Sequence, residues 1–154
     1  MRPPYLVIGI GNTLRGDDGA GSAVIDALRD RVDTDHVELT TCHQLLPECV
    51  ETLRGRRGIV FVDASVEIAA GAVHDEQVEI DPMPWRWGHQ LRPSTLLNMI
   101  GPSERPPARI VEIGATFFEY GITFSPAVST AIGVARDTVL RELEELDRIR
   151  SASN

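Results

Sequence analysis

The segment Ile8-Gly9-Ile10-Gly11-Asn12-Thr13-Leu14-Arg15-Gly16-Asp17-Asp18-Gly19-Ala20-Gly21 leaves a β-rich run and enters a stretch with helical spacing. In that stretch Val24, Ala27, Leu28 and Val32 recur at i, i+3, i+4 and i+8, so a first helix is expected over 18–31. Strand, glycine-rich turn and helix in that order are the units of an open α/β sheet. The turn imitates a dinucleotide-binding loop, but that fingerprint needs a glycine where Leu14 stands. A pyrophosphate there would also lie beside Asp17 and Asp18 and be repelled. One Asp at a helix start is accounted for by capping and the helix dipole. Two acids among closely spaced glycines point instead to backbone approaching something bulky while a carboxylate faces a cation.

Working outward, further β-rich runs occur at 37–41, 59–62 and 109–113, separated by helical spacing. This alternation predicts an α/β fold with a mostly parallel sheet covered by helices. Leu46, Cys49, Val50 and Leu53 form one helical stripe, and a third helix starts near Pro93 and stops before Gly101-Pro102. The last helix takes Ser125 as N-cap and Pro126 at its first position, and turns Val128, Ala131, Ile132, Ala135, Val139, Leu143 and Leu146 inward. The acidic run 73–80 fits an edge strand or hairpin arm. Residues 1–150 read as one domain, followed by a disordered tail over 151–154.

Fifteen Lys and Arg against twenty-three Asp and Glu give a net charge of −8. An acidic surface disfavours nucleic acid and anionic membranes as partners, although most such charge is simply solvated surface. The apolar run 5–10 is too short for a secretory or membrane segment, so a cytoplasmic protein is expected. Cys42 and Cys49 match neither a redox pair nor a four-ligand zinc pattern and are expected to be reduced thiols.

A second carboxylate, Asp63, ends the run Ile59-Val60-Phe61-Val62, which should arrive at the same sheet edge as Asp18. Taken alone it reads as a turn or N-cap residue. Of the four histidines, His36 and His74 sit among acids, whereas His89 follows Trp85-Arg86-Trp87-Gly88 in what reads as a partly covered loop. Two carboxylates and an imidazole can hold nickel or zinc with positions left open. By spacing alone the three residues are too scattered to establish a site.

The stretch Gly9-Ile10-Gly11-Asn12 through Asp17-Asp18-Gly19-Ala20-Gly21 closely resembles the opening motif of the nickel-iron hydrogenase maturation endopeptidases. Cys42-His43-Gln44-Leu45-Leu46-Pro47-Glu48, Phe61-Val62-Asp63-Ala64, Gly88-His89-Gln90-Leu91 with Pro93, and Phe118-Glu119-Tyr120-Gly121 through Phe124-Ser125-Pro126 follow in the family's order. The resemblance implies a three-layer αβα sandwich with a mostly parallel twisted sheet, of the phosphorylase/hydrolase-like type. It implies that Asp18, Asp63 and His89 are the catalytic and metal-contacting residues, with Gly11, Asn12, Asp17 and His43 in support. The family permits Glu where this chain has Asp18.

The implied reaction removes a C-terminal extension from the [NiFe]-hydrogenase large-subunit precursor once nickel has been inserted. The protease then needs no permanent cofactor, because the nickel belongs to the substrate and serves recognition. A nickel-binding accessory or metallochaperone protein would use the same triad without cutting. No Ser-His-Asp, Cys-His or His-Glu-x-x-His pattern supplies an independent nucleophile or zinc helix, so hydrolysis rests on the resemblance.

Overall fold

The computed structural model describes residues 1–80 and 91–153. Five strands, β1 (Tyr5–Ile10), β2 (Val37–Cys42), β3 (Gly58–Ser65), β4 (Val73–Gln77) and β5 (Ala108–Gly114), form one sheet in the order β2-β1-β3-β5-β4. The first four run parallel, and β4 lies antiparallel to β5 at the edge. The acidic run expected at an edge is therefore there, although it ends at Gln77.

Side chains on a strand alternate between faces, and here both faces are apolar because both are covered. Tyr5, Val7, Val60, Val62, Val111 and Ile113 pack under α1 (Ala20–Leu28) and α4 (Pro126–Ala152). Leu6, Ile8, Ile10, Ile59, Phe61 and Ala108 pack against α2 (Val50–Leu53), α3 (Pro93–Asn98) and Ile100. The result is the three-layer αβα sandwich.

The first helix departs from the sequence expectation. A 3-10 turn over Gly16–Gly19 precedes it, so Asp18 lies in the turn and not in α1. The glycines allow this arrangement by close packing of the chain on itself. A Cβ on Gly21 would stand 2.7 Å from the carbonyl oxygens of both Ile10 and Val62, and one on Gly9 would stand 2.5 Å from the Gly21 oxygen. Gly21→Ala must therefore push α1 off the sheet, and a loss of about 2–3 kcal/mol in stability is expected. An unchanged denaturation midpoint would contradict that packing.

At the other end, α4 begins as expected, with Ser125 Oγ accepting from the Val128 amide and Pro126 in the first turn. It continues to Ala152, so residues 151–152, expected in a disordered tail, complete its last turn.

The chain leaves β1 for β2 on one side of the sheet and then crosses to β3 on the other. The strand order reverses between β1 and β3, and the carboxyl ends of those strands open a crevice of the kind in which α/β sheets bind ligands.

Candidate active site

The loop after β1 is shaped by its own residues. Gly11 has φ +133°, and a Cβ there would overlap the Asp18 carbonyl oxygen, so only glycine fits. The Gly11 amide donates to the Cys42 carbonyl at 2.9 Å, joining this loop to the end of β2, where His43 follows as an exposed residue. Asn12 Oδ1 accepts from the Leu14 amide at 2.9 Å, and the Asn12 amide donates to Asp18 Oδ2 at 2.7 Å. The bulky neighbour that the glycines were expected to admit is thus the chain itself, and the loop's product is an oriented, half-buried Asp18.

Asp17, the adjacent residue, points elsewhere. It is 0% exposed, and its carboxylate accepts from the amides of Thr116, Phe117 and Ser125 and from Ser125 Oγ, at 2.7–3.1 Å. Burial works to raise its pKa, but these donors outweigh it and hold the carboxyl below the usual range. With four donors satisfied, Asp17 has little capacity left for a ligand.

Asp63 lies on β3 just beyond Val62, which pairs with Gly9, so it stands at the β1 side of the crevice. Its pKa is pushed up to about 7, first by burial and then by the charges of Asp18 and Glu112, against the lowering effect of the Ala64 amide. Asp18 and Asp63 therefore feel one another's charge, while Glu112 is Asp63's register partner on β5. Asp63 opens into a pocket of about 720 Å³ whose walls include Ile10, Leu45, Leu91, Arg92 and Glu112. Burial, with Glu76 and Glu67 nearby, also raises the Glu112 pKa. Such an acid-lined crevice attracts cations and holds a carboxylate that exchanges its proton near neutral pH.

Cys42, at the end of β2, has its thiol pushed up to about 11 by burial and by Cys49 and Asp63. It is a protonated thiol at neutral pH and a poor nucleophile. Both cysteines are free, as expected.

No protein-family model matches the sequence, and no curated protein matches it at a significant level. Solved structures do. The hydrogenase maturating endopeptidase HybD from E. coli is 25% identical with a TM-score of 0.76, over 94% of this chain and 93% of that one. The [NiFe] hydrogenase maturation protease HybD from Thermococcus kodakarensis shares the fold at 20% identity, with a TM-score of 0.66 over 92% of this chain and 98% of that one. So does the hydrogenase 2 maturation peptidase from a Thaumarchaeota archaeon, 24% identical with a TM-score of 0.65 over 91% and 97% of the two chains. The chain has the fold of the hydrogenase maturation endopeptidases.

The structure brings Asp18 and Asp63 to one sheet edge, with Gly11, Asn12 and Asp17 on the loop after β1 and His43 directly after β2. His89 lies outside the described residues. Among the described residues no group of three or more His, Cys, Asp or Glu side chains is set to hold a metal ion.

Sequence reasoning missed two residues of the site. Glu112 announces itself only as a charge inside the apolar run Arg109-Ile110-Val111-Glu112-Ile113, and its importance depends on its register with Asp63. Ser125 was read as a helix cap, and its second bond, to Asp17 across 108 residues, has no local signal.

Proposed function

We propose that this chain is an endopeptidase that removes the C-terminal extension of a nickel-loaded [NiFe]-hydrogenase large-subunit precursor and so completes its maturation. The observation that carries the reading is the meeting of Asp18 and Asp63 at the β1/β3 crevice of this family's fold. In the reading, Asp18 and His89 contact the precursor's nickel together with Asp63, and the protease keeps no metal of its own.

The chemistry assigned to the pair is of the aspartic type. A water oxygen adds to the scissile carbonyl carbon while Asp63, whose pKa of about 7 suits a base at neutral pH, accepts the water's proton. The proton then passes to the departing amine nitrogen as the C–N bond breaks. Asp18 holds the metal-bearing segment in place. No helix among the described residues is long and apolar enough to cross a membrane, and the proposed working compartment is the cytoplasm.

One precursor prepared in nickel-free and nickel-loaded forms tests this. Only the loaded form should be shortened, seen as a loss of mass at its C-terminus. Equal cutting of both forms would remove nickel as the recognition element, and no cutting of either would remove the peptidase reading.

A further inference from the structure

Ten large hydrophobic residues are exposed among the described residues, and six of them are spread along the chain from Met1 to Ile149, which is ordinary. The other four share one place. Leu14 is 45% exposed, Phe117 37%, Tyr120 85% and Ile122 77%. They sit on the loop after β1 and the loop after β5, which are tied together by backbone hydrogen bonds. The Gly16 amide donates to the Gly121 carbonyl, the Gly121 amide to the Leu14 carbonyl, and the Asp17 amide to the Phe117 carbonyl, each at 2.8 Å. The Asp17 carboxylate grips the second loop from beneath through Thr116, Phe117 and Ser125.

These side chains are therefore apolar, exposed and mounted on fixed backbone, the combination that lowers the entropy cost of binding. Leu14 is also four residues from Asp18 on the same loop after β1, just ahead of the 3-10 turn that carries Asp18.

We propose that Leu14, Phe117, Tyr120 and Ile122 form a docking ridge beside the acid pair, and that its occupant is an apolar segment of the hydrogenase large-subunit precursor. The proposal rests on the endopeptidase reading and names where that protein substrate is gripped. A second copy of this chain fits the ridge less well. Four side chains offer a few hundred Å², below the roughly 800 Å² per partner of a stable interface. A symmetric dimer there would also cover the Asp18 turn and shut the site to a protein substrate. The ridge adds affinity for the precursor without touching the reacting atoms, so its loss should appear in KM and leave kcat nearly unchanged.

The test compares wild type, the double variant Tyr120→Ser/Ile122→Ser, and Val134→Ser as an equally apolar exposed change on α4. With nickel-loaded precursor, the double variant should raise KM at least about tenfold with kcat within twofold, and Val134→Ser should change neither. Binding of the same precursor by the non-cutting Asp63→Asn protein, with and without the double substitution, reads the ridge independently of cleavage and should show the same tenfold loss. Unchanged affinity with intact thermal melting would overturn the ridge while leaving the protease reading in place. A wild-type dimer that the double variant converts to monomer would overturn it in favour of self-association. Ridge-dependent binding without cutting would sustain the ridge and sink the peptidase.

Discussion

Asp63→Asn is expected to lose at least about a hundredfold in processing rate, the usual contribution of a positioned base, while becoming more stable than wild type in mild alkali. The two effects have one cause. Burial, then Asp18 and Glu112, raise the folded-state pKa of Asp63 to about 7 from an ordinary value of 3.8. Below about pH 4 the carboxyl is protonated in both folded and unfolded chains and contributes nothing to the balance. As the pH rises towards 7 the unfolded chain gives up the proton and the folded one keeps it, so the folded state loses stability progressively. Above pH 7 the full cost is present. A difference of about three pH units corresponds to about 4 kcal/mol, and partial exposure of the side chain reduces this to about 2–4 kcal/mol.

Asparagine is neutral throughout and keeps an oxygen for the Ala64 amide, which donates to Asp63 Oδ1 at 2.9 Å. The variant's denaturation midpoint should therefore exceed that of wild type at pH 8 and converge with it at pH 4. A stability difference independent of pH would show that the Asp63 proton is not what links them. Wild-type activity should rise as the pH passes through about 7, following the ionised form of the base.

The second large effect separates the neighbouring acids. Asp17→Ala should cost about 3–5 kcal/mol, the range for breaking a buried charged network by removing one partner, because three amides and a hydroxyl lose their acceptor at once. For a domain of this size that is a fall in Tm of roughly 10 °C. Asp17→Asn is also damaging, since it aims an amide NH2 at groups that are themselves donors. The depressed pKa of Asp17 adds a pH signature: its stabilisation is present above the ordinary carboxylate range and is lost as the pH falls through the folded value.

Asp18→Asn should leave stability within about 1 kcal/mol, because a single hydrogen bond from the Asn12 amide is at stake and the amide oxygen can still accept it. Processing should nevertheless be lost, and removal of the Asp18 charge should lower the Asp63 pKa. Thermal melts beside cleavage assays decide the matter: a stable Asp17→Ala, or an active Asp18→Asn, would contradict this division.

The sequence alone determined the architecture, because the rules that set it are local. The continuous apolar runs within Tyr5–Ile10 and Gly58–Ser65, helical spacing through Val24 and Leu28, and the Ser125-Pro126 cap each act over a few residues and are legible without the fold. The positions of Asp18 and Asp63 at one edge followed from the same reasoning, since parallel strands must all end on one side of the sheet.

Only the tertiary structure decided what each acid does. Asp17 and Asp18 are chemically identical neighbours, and nothing within the turn says which is buried; Thr116, Phe117 and Ser125 decide it from about a hundred residues away. The 3-10 turn before α1 was likewise hidden, because the contact of Gly21 with Ile10 and Val62 that fixes where the helix meets the sheet lies across the layers. The raised pKa of Asp63 needs the low dielectric of the crevice and the register with Glu112. A side chain's charge state depends on everything within several ångströms of it, and in a folded chain most of that comes from distant sequence.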